Sequence, residues 1–333
     1  MKRLLNIFLA VVLLCVFAFG LTACVSPDDG ADKKEGVLIK KEKGVYVIYD
    51  YVDDGKLTDG VLDLSVILQQ KGITEAKIKS GAFDGADNIR TLIVPDTIIE
   101  IQEGAFRKMS NLYELRVPFI GLSAKADAQF EETDKAEGKA GDNKRTFAHF
   151  FGIEEYDGGA TLTNEFGTVY VPYTLSTVVV NATANVDYSV EGVKEGYAIP
   201  MGAFEGATTL QTISLTGESL KEIGYQAFKG CTGLTTITVP ATVKKIYDKA
   251  FIGCDNLLEV NVLGTGVQLG EKVFKDCVKM NKLNSQTDLV VNLGAFNVIG
   301  NNAFDFGREN VEFTVENKGE FNLTKIFGQT RTK

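Results

Sequence analysis

A short phrase built around an Ala-Phe pair recurs along this chain, and its spacing restricts the possible folds more than any other feature. The pair ends at Phe83, Phe106, Phe204, Phe228, Phe251 and Phe304, with a Val-Phe variant at Phe274. Successive gaps are 23, 98, 24, 23, 23 and 30 residues. A unit of ~20–29 residues is too short to bury its own apolar face, so copies must stack on one another to form a core. The spacing therefore predicts a solenoid that grows in one dimension. Such molecules expose long surfaces suited to binding and seldom to catalysis.

The fullest copy reads Ile223-Gly224-Tyr225-Gln226-Ala227-Phe228-Lys229-Gly230-Cys231, followed by Leu234, Ile237, Val239 and Pro240. Ile237 and Val239 alternate with Thr236 and Thr238, the two-residue period of a strand. Pro240 has no N–H and ends the ladder. The same pattern runs from Ile89 to Pro95 and from Leu112 to Pro118, and without the proline from Leu210 to Leu215 and Leu257 to Val262. Stacked copies would pair as a parallel sheet about 4.8 Å apart. Alanine lets the backbone turn tightly against the core, and each buried phenylalanine contributes roughly 1.5–3 kcal/mol. Phe228, Phe251 and Phe274 are expected to form a stacked aromatic spine.

The pattern Ile-Gly-x-x-Ala-Phe-x-Gly-Cys-x-x-Leu-x-x-Ile-x-Val-Pro resembles the BspA-type (Treponema-type) leucine-rich repeat of bacterial surface proteins. Good copies occupy Ile78–Pro95, Ile101–Pro118, Ile199–Leu215, Ile223–Pro240 and Ile246–Val262, and degraded ones Leu269–Leu283 and Ile299–Val315. The stretch from Phe151-Gly152 to Thr168-Val169-Tyr170-Val171-Pro172 also resembles a linker found in such proteins. The expected fold class is an α/β repeat, a leucine-rich-repeat solenoid with a parallel sheet of short strands, an irregular insert and caps. The family has no fixed active site to carry over. The resemblance implies adhesion to host proteins, matrix or other bacteria.

Residues 1–23 read as a leader: Lys2 and Arg3 give a basic start, and Ile7–Phe19 an apolar stretch too short for a usual membrane span. Leu21-Thr22-Ala23-Cys24 resembles a bacterial lipobox, which implies cleavage before Cys24 and lipidation of its thiol. More than one acyl chain gives stable anchoring. Residues 24–36 are polar and lack an apolar pattern, as expected of a flexible tether. The whole chain carries a formal charge of −9, before the loss of Lys2 and Arg3. This argues against nucleic acid and against adsorption to anionic lipid, so the lipid anchor is the expected membrane contact. The expected state is an exported monomer at the cell surface.

Of the five cysteines, Cys15 and Cys24 belong to the leader and anchor, while Cys231, Cys254 and Cys277 each follow a phenylalanine by three positions. They share one column. Export and a repeat spacing within disulfide range would permit pairing. An odd number, and small residues in the earlier copies (Ala86, with Ser110 and Thr208 at or near the position), favour reduced buried thiols. Three stacked thiols lack the spread of a zinc site.

The rest of the chain departs from the repeat. Residues 37–72 are expected to be an N-terminal cap, with a strand at Val45–Tyr49, an acidic turn region at Asp50–Gly60 and a short helix within Leu62–Gly72. Asp50, Asp53, Asp54 and Asp59 lack the ligand order of an EF-hand and read as solvated turns. Repeats fill 73–118 and 199–315. Residues 119–198 interrupt them: Ser123–Arg145 as a loop or marginal surface helix, then strand candidates at Thr168–Val171 and Thr177–Val180 that could continue the sheet. Residues 316–333 form a C-terminal cap, and Val311–Val315 and Glu320–Leu323 alternate like strands.

Signals for catalysis are few. His149, the one histidine, lies among Phe147, Phe150 and Phe151 and reads as a packed imidazole. Neither a phosphate-binding glycine loop nor a nucleophile elbow occurs. No catalytic residue, metal ligand or cofactor is assigned. The candidate binding face is the outer side of the strands: Arg90, Tyr113, Glu114, Arg116, Gln211, Thr235, Thr236, Thr238 and Glu259, joined by Thr91 and Thr212. The expected function is binding of an extracellular protein or matrix ligand through that face, with selectivity added by the insert. The alternative is an exported glycan-binding or glycan-processing lipoprotein with the repeats as scaffold.

Overall fold

The structure is a computed structural model that describes residues 35–124, 143–182, 196–308, 312–328 and 331–332. Cys24, the leader and most of the tether lie outside the described residues, as does most of Ser123–Arg145.

Each repeat contributes two short strands joined by the Ala-Phe turn. The first sheet is parallel and runs in chain order through Val61–Asp63, Thr91–Ile93, Glu114–Val117, Thr177–Asn181 and Thr212–Thr216. A six-stranded sheet extends the series through Thr236–Val239, Glu259–Val262, Lys282–Leu283, Val290–Asn292, Glu312–Glu316 and Arg331–Thr332. On the opposite side, Val45–Val52, Ala76–Ile78 and Ile98–Ile101 stack in parallel. Tyr197–Ile199, Leu220–Ile223, Lys245–Ile246, Val267–Leu269 and Phe296–Ile299 stack likewise further along. The core lies between. In one turn of the solenoid Ile223, Phe228, Leu234, Ile237, Val239, Val243 and Ile246 are all fully or nearly fully buried.

Helix is scarce among the described residues, because the Ala-Phe segment is a chain of turns. Among the described residues two α-helices appear, one towards each end: Leu64–Gln70, capped by the Asp63 side chain, and Leu323–Phe327, capped by Asn322. The expected strand at Glu320–Leu323 is absent; Asn322 accepts from the Lys325 N–H and starts the helix instead. Ile326 and Phe327 then close the core, with the Phe327 ring 5.4 Å from Phe304. At the other end Gly36–Glu42 pairs antiparallel with Val45–Val52 across a Lys43-Gly44 turn in which both residues have positive φ. Exposed Lys41 and Glu42 on that edge oppose strand addition. In the acidic turn region Asp53, Asp54 and Asp59 each accept a backbone N–H two residues on.

The aromatic spine is longer than the sequence suggests. Phe204, Phe228, Phe251, Phe274 and Phe304 stack with successive ring centroids 5.3, 4.8, 5.4 and 5.8 Å apart and interplanar angles of 13° or less. The insert continues it. Phe106 meets Phe150 at 5.5 Å, and Phe147 meets Phe204 at 5.5 Å. The backbone follows the same route, since Phe106 N–H donates to the Phe150 carbonyl and Phe147 N–H to the Ala203 carbonyl. A single 3-10 turn, Phe147–Phe150, thus replaces a repeat layer. His149 in this turn is buried, its Nε2 3.0 Å from the Ile101 carbonyl.

The turns form a ladder of their own. Lys249, Phe251 and Gly253 donate N–H bonds of 2.8, 2.9 and 2.9 Å to Glu271, Val273 and Lys275 of the next repeat. This alternation requires left-handed backbone just before the alanine and again two residues after the phenylalanine. The first position is glycine in the early copies, then Gln226, Lys249, Lys272 and Asn302 at φ of 54°, 58°, 55° and 53°. Most L-residues pay for that conformation.

The three cysteines are free and buried, and their Sγ atoms donate to the carbonyls of Phe204, Phe228 and Phe251 one repeat earlier at 3.0–3.1 Å. Burial raises the Cys231 and Cys277 thiols well above the ordinary range, with the neighbouring Cys254 adding to it. The earlier residues in this column are Ala86, Met109 and Ala207, not Ser110 or Thr208, which lie one position on.

Candidate functional site: the outer strand face

Parallel register sorts the outward residues into columns. Arg90, Tyr113, Ser176 and Gln211 lie at the strand entrances and are linked by backbone bonds from Tyr113 to Arg90, Ser176 to Tyr113 and Gln211 to Ser176. Thr235, whose carbonyl accepts from Leu258 N–H, extends this column. A second column pairs Thr91, Glu114, Thr177 and Thr212, and further along Thr236, Glu259 and Lys282. A third contains Ile93, Arg116, Val179 and Ser214, then Thr238 and Asn261.

The expected residues therefore share one surface. Arg90, Arg116, Gln211, Thr235, Thr236 and Thr238 are exposed, Tyr113 is 49% exposed, and Glu114 and Glu259 are half-buried. Arg116 Nε donates to Glu114 Oε1 at 2.6 Å along one strand. Glu259 accepts from Asn261 Nδ2 at 2.7 Å and lies 3.9 Å from Lys282, which also reaches Asp288 at 3.2 Å. Exposed pairs of this kind add at most about 1 kcal/mol each, so they orient side chains more than they stabilise the fold. Arg90 packs over Gly60: a Cβ built there would approach its Cγ to 2.9 Å.

The face has three chemical zones. Arg90, Tyr113, Glu114 and Arg116 supply charge and an aromatic ring at the N-terminal end. The middle, from Ser176 to Thr238, is an uncharged hydroxyl surface interrupted by Val179. Leu258 and Leu289, 42% and 41% exposed, flank Asn281 near Glu259 and Lys282 in the last zone. Ser176, Thr177, Leu258, Asn281 and Lys282 were absent from the sequence-based set. Leu175-Ser176-Thr177-Val178 matches Leu112-Tyr113-Glu114-Leu115 in alternation, but no Ala-Phe pair precedes it to mark the register. Among the described residues no group of three or more His, Cys, Asp or Glu side chains is placed to hold a metal ion.

The stacked two-strand layers define a leucine-rich-repeat solenoid. The sequence profile of the BspA type leucine rich repeat region matches residues 69–137 and 193–309 in six copies. These spans exceed half of the chain, and the chain belongs to that family. Among solved structures, the T. pallidum leucine rich repeat protein is 17% identical, with 81% of this chain and 88% of that one covered and a TM-score of 0.35. A leucine rich cell surface protein from Faecalibacterium prausnitzii is 14% identical (88% and 77% covered, TM-score 0.33). A leucine-rich repeat protein from Eubacterium ventriosum is 13% identical (88% and 80%, TM-score 0.30). The comparison with curated proteins finds no match.

Proposed function

We propose that this chain is a cell-surface lipoprotein, anchored at Cys24, whose outer strand face binds an extracellular protein or matrix component. The observation that carries this reading is the continuity of the face. Glu114–Val117, Thr177–Asn181 and Thr212–Thr216 pair directly, so the long sequence interruption leaves no gap in the surface. An extended, rigid, mixed polar and aromatic surface suits a macromolecule held by many modest contacts. Family membership agrees with a surface role. Among the described residues no helix is long and apolar enough to cross a membrane.

The test is a screen of the purified chain against arrayed extracellular proteins and matrix components, repeated with Tyr113→Ala/Arg116→Ala. Binding that falls at least tenfold in the double variant supports the reading; binding that ignores it places the contact elsewhere. Anchoring is tested separately by labelled fatty-acid incorporation in wild type and Cys24→Ser, where equal labelling overturns it.

A further inference from the structure

We infer that the cleft between the insert and the second repeat is a binding subsite for one neutral sugar ring. The cleft encloses about 210 Å³ and is lined by Glu103, Arg107, Lys108, Ile153, Glu154 and Tyr156, among others. It lies on the turn side of the solenoid, so this inference does not depend on the strand face.

Size sets the first limit. Pockets for drug-sized ligands run to ~300–1,000 Å³, and a smaller space suits a single ring. Charge sets the second. Arg107 Nη2 is 2.8 Å from Asp84 and Lys108 Nζ is 2.7 Å from Glu154, so both cations are already matched and Glu103 adds a further acid. An anionic ligand would meet no free positive charge. Carboxylate acceptors and guanidinium, ammonium and phenol donors do surround the space, and a polyhydroxylated molecule needs both kinds of partner. Ile153, 73% exposed, and the Tyr156 ring supply an apolar wall for the C–H face of such a ring.

Two atoms strengthen the assignment. Arg107 Nε and Tyr156 Oη are buried and have no hydrogen-bond partner. Turning the Tyr156 hydroxyl toward an occupant breaks no existing bond and satisfies a group that is costly to leave unpaired, whereas Arg107 would have to shift its Asp84 pair to do the same. Burial, followed by the nearby Asp87 charge, pushes the Tyr156 phenol up, so it stays a protonated donor throughout the usual pH range. Lys108 also stands in left-handed backbone at φ 57°, where the copies at Gly85, Gly206, Gly230 and Gly253 use glycine and the copy at Asp276 (φ 61°) an aspartate. From there its ammonium reaches Glu154 at the cleft.

The experiment is saturation-transfer NMR and titration of the full chain with methyl glucoside, methyl galactoside, methyl mannoside and N-acetylglucosamine, with glucuronate and sialic acid as charged comparators. At least one neutral sugar is expected to bind saturably in the millimolar range. Tyr156→Phe, which keeps the ring, should weaken that binding about fivefold, the scale of one lost hydrogen bond. Ile153→Ala should weaken it as well, while Tyr113→Ala/Arg116→Ala leaves it unchanged. Circular dichroism of each variant checks folding. The inference is overturned if no neutral sugar binds, if both cleft variants bind as wild type does, or if the charged sugars bind more tightly than the neutral ones.

Discussion

Replacing Lys272 by glycine should stabilise this protein, although it deletes a side chain. Lys272 sits at φ 55° in the turn ladder, where its N–H donates to Asn301. Among the described residues its side chain makes no hydrogen bond or ion pair, so the substitution removes a strained Cβ and little else. Left-handed backbone costs an L-residue about 1–2 kcal/mol. Glycine gives back roughly 0.5–1 kcal/mol through its freer unfolded chain. The net gain expected for Lys272→Gly is therefore about 0.5–1 kcal/mol. Lys272→Ala keeps the strain and should change stability little. Gly253→Ala provides the reverse case: its φ is 70°, and the nearest atom to an added Cβ is 3.9 Å away, so any loss is conformational rather than steric. It should cost about as much as Lys272→Gly gains. Urea unfolding followed by far-ultraviolet circular dichroism, with the slope held constant between variants, measures all three. A destabilised Lys272→Gly, or a neutral Gly253→Ala, would refute the account of the ladder.

Three further outcomes follow from the packing. Phe251→Ala, in the middle of the spine, should cost about 3–5 kcal/mol because neighbours on both sides lose a stacked ring; a cost below 1.5 kcal/mol by chemical denaturation would mean the spine collapses around the gap. Cys231, Cys254 and Cys277 should resist a thiol reagent in the native protein and react fully in denaturant; fast native labelling, or a disulfide among them found by mass spectrometry, would contradict the buried column. Burial opposes the charge on Glu100, but hydrogen bonds from Lys77 at 2.7 Å and Gln102 at 3.2 Å outweigh it, and its carboxyl is held below the ordinary value. That stabilisation is present above the unfolded pKa and is lost as pH falls through the folded one. Lys77→Met should therefore cost under about 1 kcal/mol at neutral pH and nothing in strong acid, and a pH-independent difference would assign the effect to packing instead.

The repeat was legible because each layer states its chemistry locally. Ile223, Ala227, Phe228, Leu234, Ile237 and Val239 occur at fixed spacing, and that spacing alone implies stacked strands, a buried phenylalanine column and an outward set containing Arg90, Tyr113 and Thr236. The short helix expected within Leu62–Gly72 forms at Leu64–Gln70, where the structure shows Asp63 capping it. The end of the chain was not legible in the same way. Glu320–Leu323 alternates like a strand, but Asn322 caps the helix Leu323–Phe327, whose Ile326 and Phe327 cover the core beneath Phe304.

The insert marks the division most clearly. Sequence by itself determined that strands stack, which residues face inward, and that cysteines 231, 254 and 277 share a column, because those properties repeat with the chain's own period. It did not determine that Phe147 and Phe150 replace a missing Ala-Phe layer or that Thr177–Asn181 fills the sheet. Nor did it determine that Arg107, Lys108, Glu154 and Tyr156 meet at one cleft. Those depend on contacts between segments of different period, and only the folded backbone sets their distances. The left-handed positions at Gln226, Lys249 and Lys272 belong to the same class. Local preference argues against them, and the hydrogen bonds to the next repeat hold them there.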